Sequence, residues 1–468
     1  MLKQQKLAYV ILTLGIFILV LCTVTGASII SEFYETIEAY GTGRISANLQ
    51  DSTAKGSNAI SPEDILHLQQ FSFRDMQMAY ASRSKASAAY GENQVQADIA
   101  GVSDRFNMLH RIPMESGSFL TAGNSMEMVA VVDEQLAIEL FGNTNVLGLY
   151  LELYGQHFKI IGVAEDDESI AGIMADDGLG RIYIPVGHLL LYDGSAMITS
   201  IEIMADDMGT TGINADRMKE GLASIGQNAA DYRITDYNIE KKLLEEKAQA
   251  ITFLSGAGLI IMLFVSVARG IQELFCVIKA SLEKDYFKDA LGKNRVKLLF
   301  GLLEITAITI MTALIWDAVR FNLYIPADYI PDELIDLQFF PTLAKNLMEK
   351  RVQGLGSIPS ITEMKTGILS MLQGWNLAAA ILAGYLPYMF GLRLLNTRQE
   401  KITGHMLYIA ALIALSIAVS LPLPAVFKMP VTACGRELLI VSAFILFSVS
   451  GLRVKGIPTD SSRDQYKE

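Results

Sequence analysis

The side chains able to do chemistry are few and scattered. The five histidines (His67, His110, His157, His188 and His405) include no HxxxH or HxH pair, the spacing that turns two imidazoles toward one metal. Cys22, Cys276 and Cys434 lie in three different stretches, so they form no local disulfide framework or zinc knuckle. There is no G-x-S-x-G, no H-E-x-x-H and no Cys–His spacing suited to a nucleophile and its base. Gly292-Lys293-Asn294 lacks the upstream Gly and the following hydroxyl of a phosphate-cradling loop. Asp166-Asp167-Glu168 with Asp176-Asp177 offers oxygen ligands for weak Ca²⁺ binding, but a solvated acidic loop accounts for the same residues. No catalytic, cofactor-binding or metal residue is assigned, no cofactor is implied, and the chain is not expected to be an enzyme.

Two acids stand out by position. Glu304 and Asp317 are the charges inside the apolar run Leu298–Val319. A charge at membrane depth is costly and is expected to face protein or water. Asp317 precedes Arg320 by three residues, the spacing of a helical ion pair. Glu304 is expected to bond to a neighbouring helix or to the loop before it.

These residues need elements to hold them. The chain has 468 residues, 51% of them apolar, and a mean hydropathy of +0.33, which excludes an ordinary soluble protein. Six membrane spans are predicted: Leu7–Ser31, Ala248–Ala268, Leu298–Val319, Thr366–Leu392, Ile402–Phe427 and the short Leu438–Leu452. The first is too long for a signal-peptide core and reads as an uncleaved anchor. Leu254-Ser255-Gly256-Ala257-Gly258, inside the second, reads as a small-residue surface for helix packing.

Residues 32–247 hold no span and read as an inserted α+β domain. Ser61-Pro62-Glu63-Asp64 is a helix start, and Glu134–Phe141 is a helix that stops at Gly142. Strands are predicted at Gln94–Val102, Met128–Val132, Leu149–Tyr154, Phe158–Val163, Arg181–Pro185, Ile198–Ile203 and Asp231–Asp236. Tyr154-Gly155-Gln156-His157 reads as a hairpin turn, and Asn214–Ile225 as an amphipathic helix. Ser31–Tyr40, with Phe33 and Ile37 on one face, continues span one. Ile239, Leu243, Ala250 and Leu254, with Leu244 and Ile251 alongside, lead into span two. Two such helices would make a stalk.

The net charge of −12 hides a division. Ser31–Lys247 holds 33 acidic and 15 basic residues, a balance of −18, and the remainder holds 17 acidic and 23 basic, a balance of +6. The basic residues crowd the loop after span two, the loop after span four and the tail. The positive-inside bias therefore puts both termini in the cytoplasm, and the acidic domain and the Pro-broken loop Arg320–Lys365 outside. A chain of this charge is not expected to bind nucleic acid. An exported domain without cysteine fits a bacterial surface.

The α+β region resembles a known family. Glu115-Ser116-Gly117-Ser118-Phe119, Met128–Asp133, Leu136-Ala137, Leu140-Phe141-Gly142, Val146-Leu147-Gly148, Leu151–Leu153, Phe158–Val163 and Ile182-Tyr183-Ile184-Pro185 follow in the order of the extracytoplasmic core domain of MacB-type ABC permeases. Lys288-Asp289-Ala290-Leu291-Gly292 resembles the coupling segment of FtsX-like permeases, and Glu304 the acid that opens the next span. The pattern departs at Ser118, Leu149 and Tyr286.

The resemblance implies an α-helical transmembrane bundle with an inserted α+β extracytoplasmic domain. The expected divisions are span one (1–31), the core domain and stalk (32–247), an FtsX-like permease part with an outer loop at 320–365 (248–395), and two added spans with a cytoplasmic tail (396–468). It implies a permease subunit in a bacterial plasma membrane, working with a separate ABC ATPase and a second permease copy or paralogue among membrane lipids. ATP hydrolysis would drive the external domain, a mechanotransmission serving export or extraction. Lys288, Ala290, Leu291 and Gly292 would contact the ATPase, with Glu304 supporting the loop. Alternatives are an FtsX-like regulator of an external cell-wall hydrolase, or a membrane sensor or scaffold.

Overall fold

The computed structural model describes residues 2–37, 43–50, 60–204, 213–282, 286–320, 323–325, 341–342, 345, 360–395 and 402–451. Most of the segment 320–365, expected to be an outer loop, and the tail past 451 lie outside the described residues. The chain divides into two units. The helical unit comprises Met1–Ser31, Leu244–Leu323 and Leu372–Glu468, and the α+β unit comprises Glu32–Leu243 and Tyr324–Met371.

Among the described residues, five helices are long and apolar enough to cross a membrane. They lie at Lys6–Ile37, Tyr237–Leu282, Asn294–Val319, Ile361–Leu394 and Met406–Val426. The chain is therefore a multi-pass membrane protein. The sixth expected span falls on the helix Gly435–Gly451, whose 17 residues reach about 26 Å at 1.5 Å each. That is short of a hydrocarbon core of roughly 30 Å. By contrast, Tyr237–Leu282 has 46 residues and reaches about 69 Å, more than twice what a span needs.

The helical unit is packed through small residues, as expected where lipid removes the hydrophobic drive between helices. A Cβ on Gly15 would lie 2.9 Å from the Tyr388 Cα, and one on Gly258 would lie 2.6 Å from the Phe444 ring. Gly256 sits just as tightly on Val319. Polar side chains bond across the same contacts. Asn376 Nδ2 donates to the Cys22 carbonyl at 2.9 Å, and Thr25 Oγ1 donates to Asn376 Oδ1 at 2.8 Å. The fourth long helix widens into a π-helix at Ala380–Tyr385, where the Tyr385 hydroxyl donates to the Ile251 carbonyl at 2.6 Å. On Tyr237–Leu282 the buried stripe is Leu244, Ile251, Ser255, Leu259 and Leu263, so of the two apolar rows at helical spacing the one through Leu244 and Ile251 is buried, and Leu254 is exposed.

The α+β unit holds one ten-stranded sheet. Its strands are β1 (Arg44–Leu49), β2 (Gln77–Tyr90), β3 (Asn93–Val102), β4 (Met114–Gly117), β5 (Val129–Asp133), β6 (Tyr150–Leu153), β7 (Gln156–Ala164), β8 (Gly180–Pro185), β9 (Ser200–Met204) and β10 (Tyr232–Asp236). Their order is β10-β1-β9-β2-β3-β8-β5-β7-β4, with β6 pairing β2 and β7. The pairs β3–β8 and β5–β7 are parallel and the others antiparallel. The long β2 runs through three apolar cores. Met78 belongs to the core of β1, β9 and the helices Pro62–His67 and Ile213–Ser224. Ala88 belongs to the core under the helix Glu134–Phe141, and Ala81 to the core around Phe119 and Tyr183.

Local chemistry explains the pieces that sequence places well. Ser61 and Asp64 cap one another, with Asp64 N donating to Ser61 Oγ at 3.1 Å and Ser61 N to Asp64 Oδ2 at 2.9 Å. Asp133 accepts from Leu136 N at 2.8 Å and from Arg181 N at 2.6 Å, so it caps its helix and also ties β8 to β5. Burial lifts its carboxyl to about 7 against those two bonds. The hairpin turn is two residues, Tyr154 (φ 54°) and Gly155 (φ 71°), and Gln156 and His157 already belong to β7.

Gly117, inside the Glu115–Phe119 motif, has φ +75°, and a Cβ there would run into the Ile161 carbonyl. Gly142 has φ +73° and open space. Gly142→Ala should therefore cost about 1–2 kcal/mol, the left-handed penalty alone. Gly117→Ala should cost about 3 kcal/mol or more, because a clash is added. Unfolding midpoints of the two variants check this, and equal losses would refute it.

Candidate functional site

The alternation in Arg44-Ile45-Ser46-Ala47-Asn48-Leu49 sends Ile45, Ala47 and Leu49 into an apolar core and turns Arg44, Ser46 and Asn48 to the other face of β1. All six are buried. The register sets Ser46 opposite Thr235 of β10 and Glu202 of β9, and Asn48 opposite Arg233. Three adjacent strands thus present one polar face, and buried polar groups must find partners.

The partners come from three helices. Glu202 Oε2 accepts from Arg44 Nε at 3.0 Å and Nη2 at 2.6 Å, and His110 Nε2 lies 2.9 Å away. The Arg44 and Glu202 side chains are 2% and 3% exposed. Arg44 Nη1 donates to the Leu109 carbonyl at 2.7 Å and Nη2 to Thr362 Oγ1 at 3.3 Å. The guanidinium lies 5.2 Å from the centre of the Tyr237 ring. Ser46 Oγ donates to the Tyr237 hydroxyl at 3.3 Å. Glu363 accepts from Asn48 Nδ2 at 2.6 Å, Arg233 Nη1 at 3.3 Å and Thr235 Oγ1 at 3.4 Å. Two residues on, Lys365 pairs with Asp167. The first turns of Tyr237–Leu282 and Ile361–Ala379 are therefore bonded into β1 and its neighbours.

Burial alone would raise the Glu202 carboxyl, but Arg44 first and then His110 outweigh it and hold it at about 2. Burial lowers His110 below its ordinary value despite the neighbouring carboxylate, so the ring is neutral at pH 7. The consistent tautomer carries its proton on Nε2, donating to Glu202, and accepts at Nδ1 from the Thr362 hydroxyl 3.1 Å away. Arg44, Glu202 and His110 are closed off from water, so the cluster can hold elements together but does not present a reactive group.

The sequence-predicted site residues lie elsewhere. Lys288, Ala290, Leu291 and Gly292 occupy the start of the helix Phe287–Val319, which follows Tyr286 in extended conformation. Gly292 is exposed and helical, so the chain does not turn there, and a Cβ on it would meet nothing within 4 Å. Glu304 is exposed on the same helix and has no ion-pair partner among the described residues. Asp317 Oδ1 and Arg320 Nη2 form the expected pair at 2.7 Å. Among the described residues no three His, Cys, Asp or Glu side chains converge on a metal-sized point.

The family model described as the MacB-like periplasmic core domain matches residues 7–220. Residues 7–220, a little under half of the chain, are therefore similar to a MacB-like periplasmic core domain. Two curated relatives from Bacillus subtilis (strain 168) are similar to it, both described as uncharacterised ABC transporter permeases. YknZ is 24% identical over 180 residues, 37% of this chain and 42% of YknZ. YvrN is 25% identical over 226 residues, 47% of this chain and 55% of YvrN. The match thus spans about half the length of these relatives. Together with the domain, they support a MacB/FtsX-like permease family. The extracellular domain of the noncanonic ABC-type transporter YknZ from Gram-positive bacteria aligns at 18% identity and TM-score 0.33, covering 41% of this chain and 99% of that one. The periplasmic region of MacB from Actinobacillus actinomycetemcomitans aligns at 20% identity and TM-score 0.37, covering 46% and 97%.

Sequence reasoning passed over the polar face of the α+β unit. Arg44–Leu49 carried its signal in strict alternation, but with polar residues on a buried side. His110 read as an isolated histidine, and Thr362 and Glu363 as part of a loop.

Removing one partner of a buried ion pair costs about 3–5 kcal/mol, while replacing both by apolar groups costs far less. Glu202→Gln and Arg44→Met should each destabilise by that amount, and the Arg44→Met/Glu202→Leu double variant should recover most of it. Additive losses in denaturant unfolding would refute the pairing.

His110 also sets a pH dependence. Its folded pKa lies below 6.5, so the unfolded chain binds the extra proton. Stability is full above pH 6.5 and falls as pH drops through the folded value. Glu202 acts the same way lower down, its contribution present above 4.5 and lost as pH falls through about 2. His110→Gln should flatten the fall in unfolding midpoint between pH 7 and 5, and an unchanged profile would exclude His110 as its source.

Proposed function

We propose that the chain is the permease subunit of an ABC transporter, coupling ATP hydrolysis by a separate ATPase to movement of the MacB-like domain outside a bacterial plasma membrane. The observation that supports it most directly is the bonding of two long helices into the sheet at Tyr237, Thr362 and Glu363. A shift of either helix along its axis then reaches β1 through charged, buried contacts rather than through a loose tether. The work done is mechanotransmission, serving export or extraction of a substrate.

In this reading both termini are cytoplasmic, as the clustering of Lys and Arg supports. Residues 1–31 form span one and 32–247 the external domain with its stalk. Residues 248–395 form the FtsX-like permease part, and 396–468 two added spans with the tail. Lys288, Ala290, Leu291 and Gly292 meet the ATPase. Gly292 suits that role because its exposed backbone allows close approach. The partners are an ATPase and a second permease copy or paralogue, in contact with membrane lipid. The helix Asn294–Val319 has none of its most apolar stretch buried within the chain, and it carries Glu304. A lone carboxylate facing lipid is costly, which favours a second copy over lipid on that side of the helix.

Gly292→Trp adds bulk where space is open, so insertion and folding should be unchanged. In the complex purified in mild detergent, the variant should lose transport-coupled ATP hydrolysis by at least about tenfold, as expected when a close contact is blocked. Unchanged coupled hydrolysis would refute the contact. Failure of any Walker-motif protein to co-purify with the unmodified chain would refute the ABC reading itself.

A further inference from the structure

A cavity of about 570 Å³ opens in the α+β unit, within the range of small-molecule sites. It belongs neither to the joint around Arg44 nor to the helix at Gly292. Its floor is apolar and sealed: Phe73, Met76, Met78, Val102, Leu120 and Ile198 all line it and are all buried. These side chains come from two of the apolar cores, so the cavity lies where the cores meet. Leu190 and Tyr80 form half-buried walls, and Met126, almost fully exposed, stands at the opening. Three methionines give a lining that can repack around a flexible apolar chain better than around one rigid shape.

The rim is charged. Arg74, Asp104 and Arg105 line the cavity and are exposed. Neither guanidinium has an ion-pair partner among the described residues. Two cations against one carboxylate leave the rim positive in a region whose balance is −18. Exposed Asp75 and Glu127 follow Arg74 and Met126 in the chain, and acids farther than about 8 Å are screened at physiological salt, so the two lining guanidiniums are the groups that can draw an anion to the opening. Guanidinium groups suit carboxylate and phosphate oxygens.

We infer that this cavity is a binding site for an anionic amphiphile, with a flexible apolar chain over the Met76–Met78 floor and a carboxylate or phosphate head on Arg74 and Arg105. An occupant would touch both cores at once. The inference does not depend on the chain being an ABC permease.

The test uses the full chain in nanodiscs of zwitterionic phosphatidylcholine, with empty nanodiscs as background. The probe is 11-(dansylamino)undecanoic acid, and its methyl ester is the neutral control. The acid should bind saturably, and the ester at least about tenfold more weakly. Leu190→Trp, which fills the cavity, and Arg74→Glu/Arg105→Glu, which reverses the rim, should each weaken binding of the acid at least about tenfold. The rim variant alters only exposed side chains and decides the matter if the filled variant does not fold. Equal binding of acid and ester, or acid binding unchanged in the rim variant, would overturn the inference, as would signal no greater than that of empty nanodiscs.

Discussion

One carboxyl oxygen, Glu202 Oε2, receives two nitrogens of Arg44 and faces His110. A carboxylate this deeply buried survives only because a cation sits against it, and the cation survives because each of its three nitrogens is bonded. Arginine suits the place where lysine would not. Its planar fork spends Nε and Nη2 on Glu202, Nη1 on a carbonyl at the end of a helix, and still reaches Thr362. The polar half of β1, the ends of two long helices and the neutral state of His110 all follow from holding that one charge.

The two units solve opposite solvent problems. In the helical unit apolar side chains gain little by leaving lipid, so backbones approach at Gly15, Gly256 and Gly258, and hydroxyls and amides such as Thr25 and Asn376 bond across the gap. In the α+β unit apolar burial drives folding, and a cluster of buried polar side chains gathers on one face of three strands, with Asp98, paired to Arg83, and the Asp133 carboxyl buried elsewhere in the sheet. Residues that look alike in composition therefore do different things. Ser255 lies in a helix seam, while Ser46 lies in an ionic cluster.

Sequence carried the locally determined parts. The helix Glu134–Phe141 was legible because Asp133 caps it and Gly142 ends it, and the β6–β7 hairpin because Tyr154-Gly155 must turn. Long apolar runs disclosed the membrane helices, and the shortness of the last run, Leu438–Leu452, was legible as well. Periodicity on Tyr237–Leu282 offered two stripes and could not choose Leu244–Ile251 over Leu243–Leu254, since neighbours make that choice. The joint was out of reach for another reason. Arg44 meets Glu202 across 158 residues and Thr362 across 318, and nothing in a linear pattern pairs groups so distant. The coupling segment at Lys288–Gly292 was suggested by likeness alone, and no local geometry singles it out.

Strand β2 has fourteen residues, about 46 Å of extended chain. One edge pairs with β9 and then with β6, and the other with β3. Its hydrogen bonds lie across the strand. A pull along β2 would have to shear many of them at once, whereas a pull across it would peel them singly. The α+β unit is therefore an anisotropic solid. It resists load along that strand more than load across it.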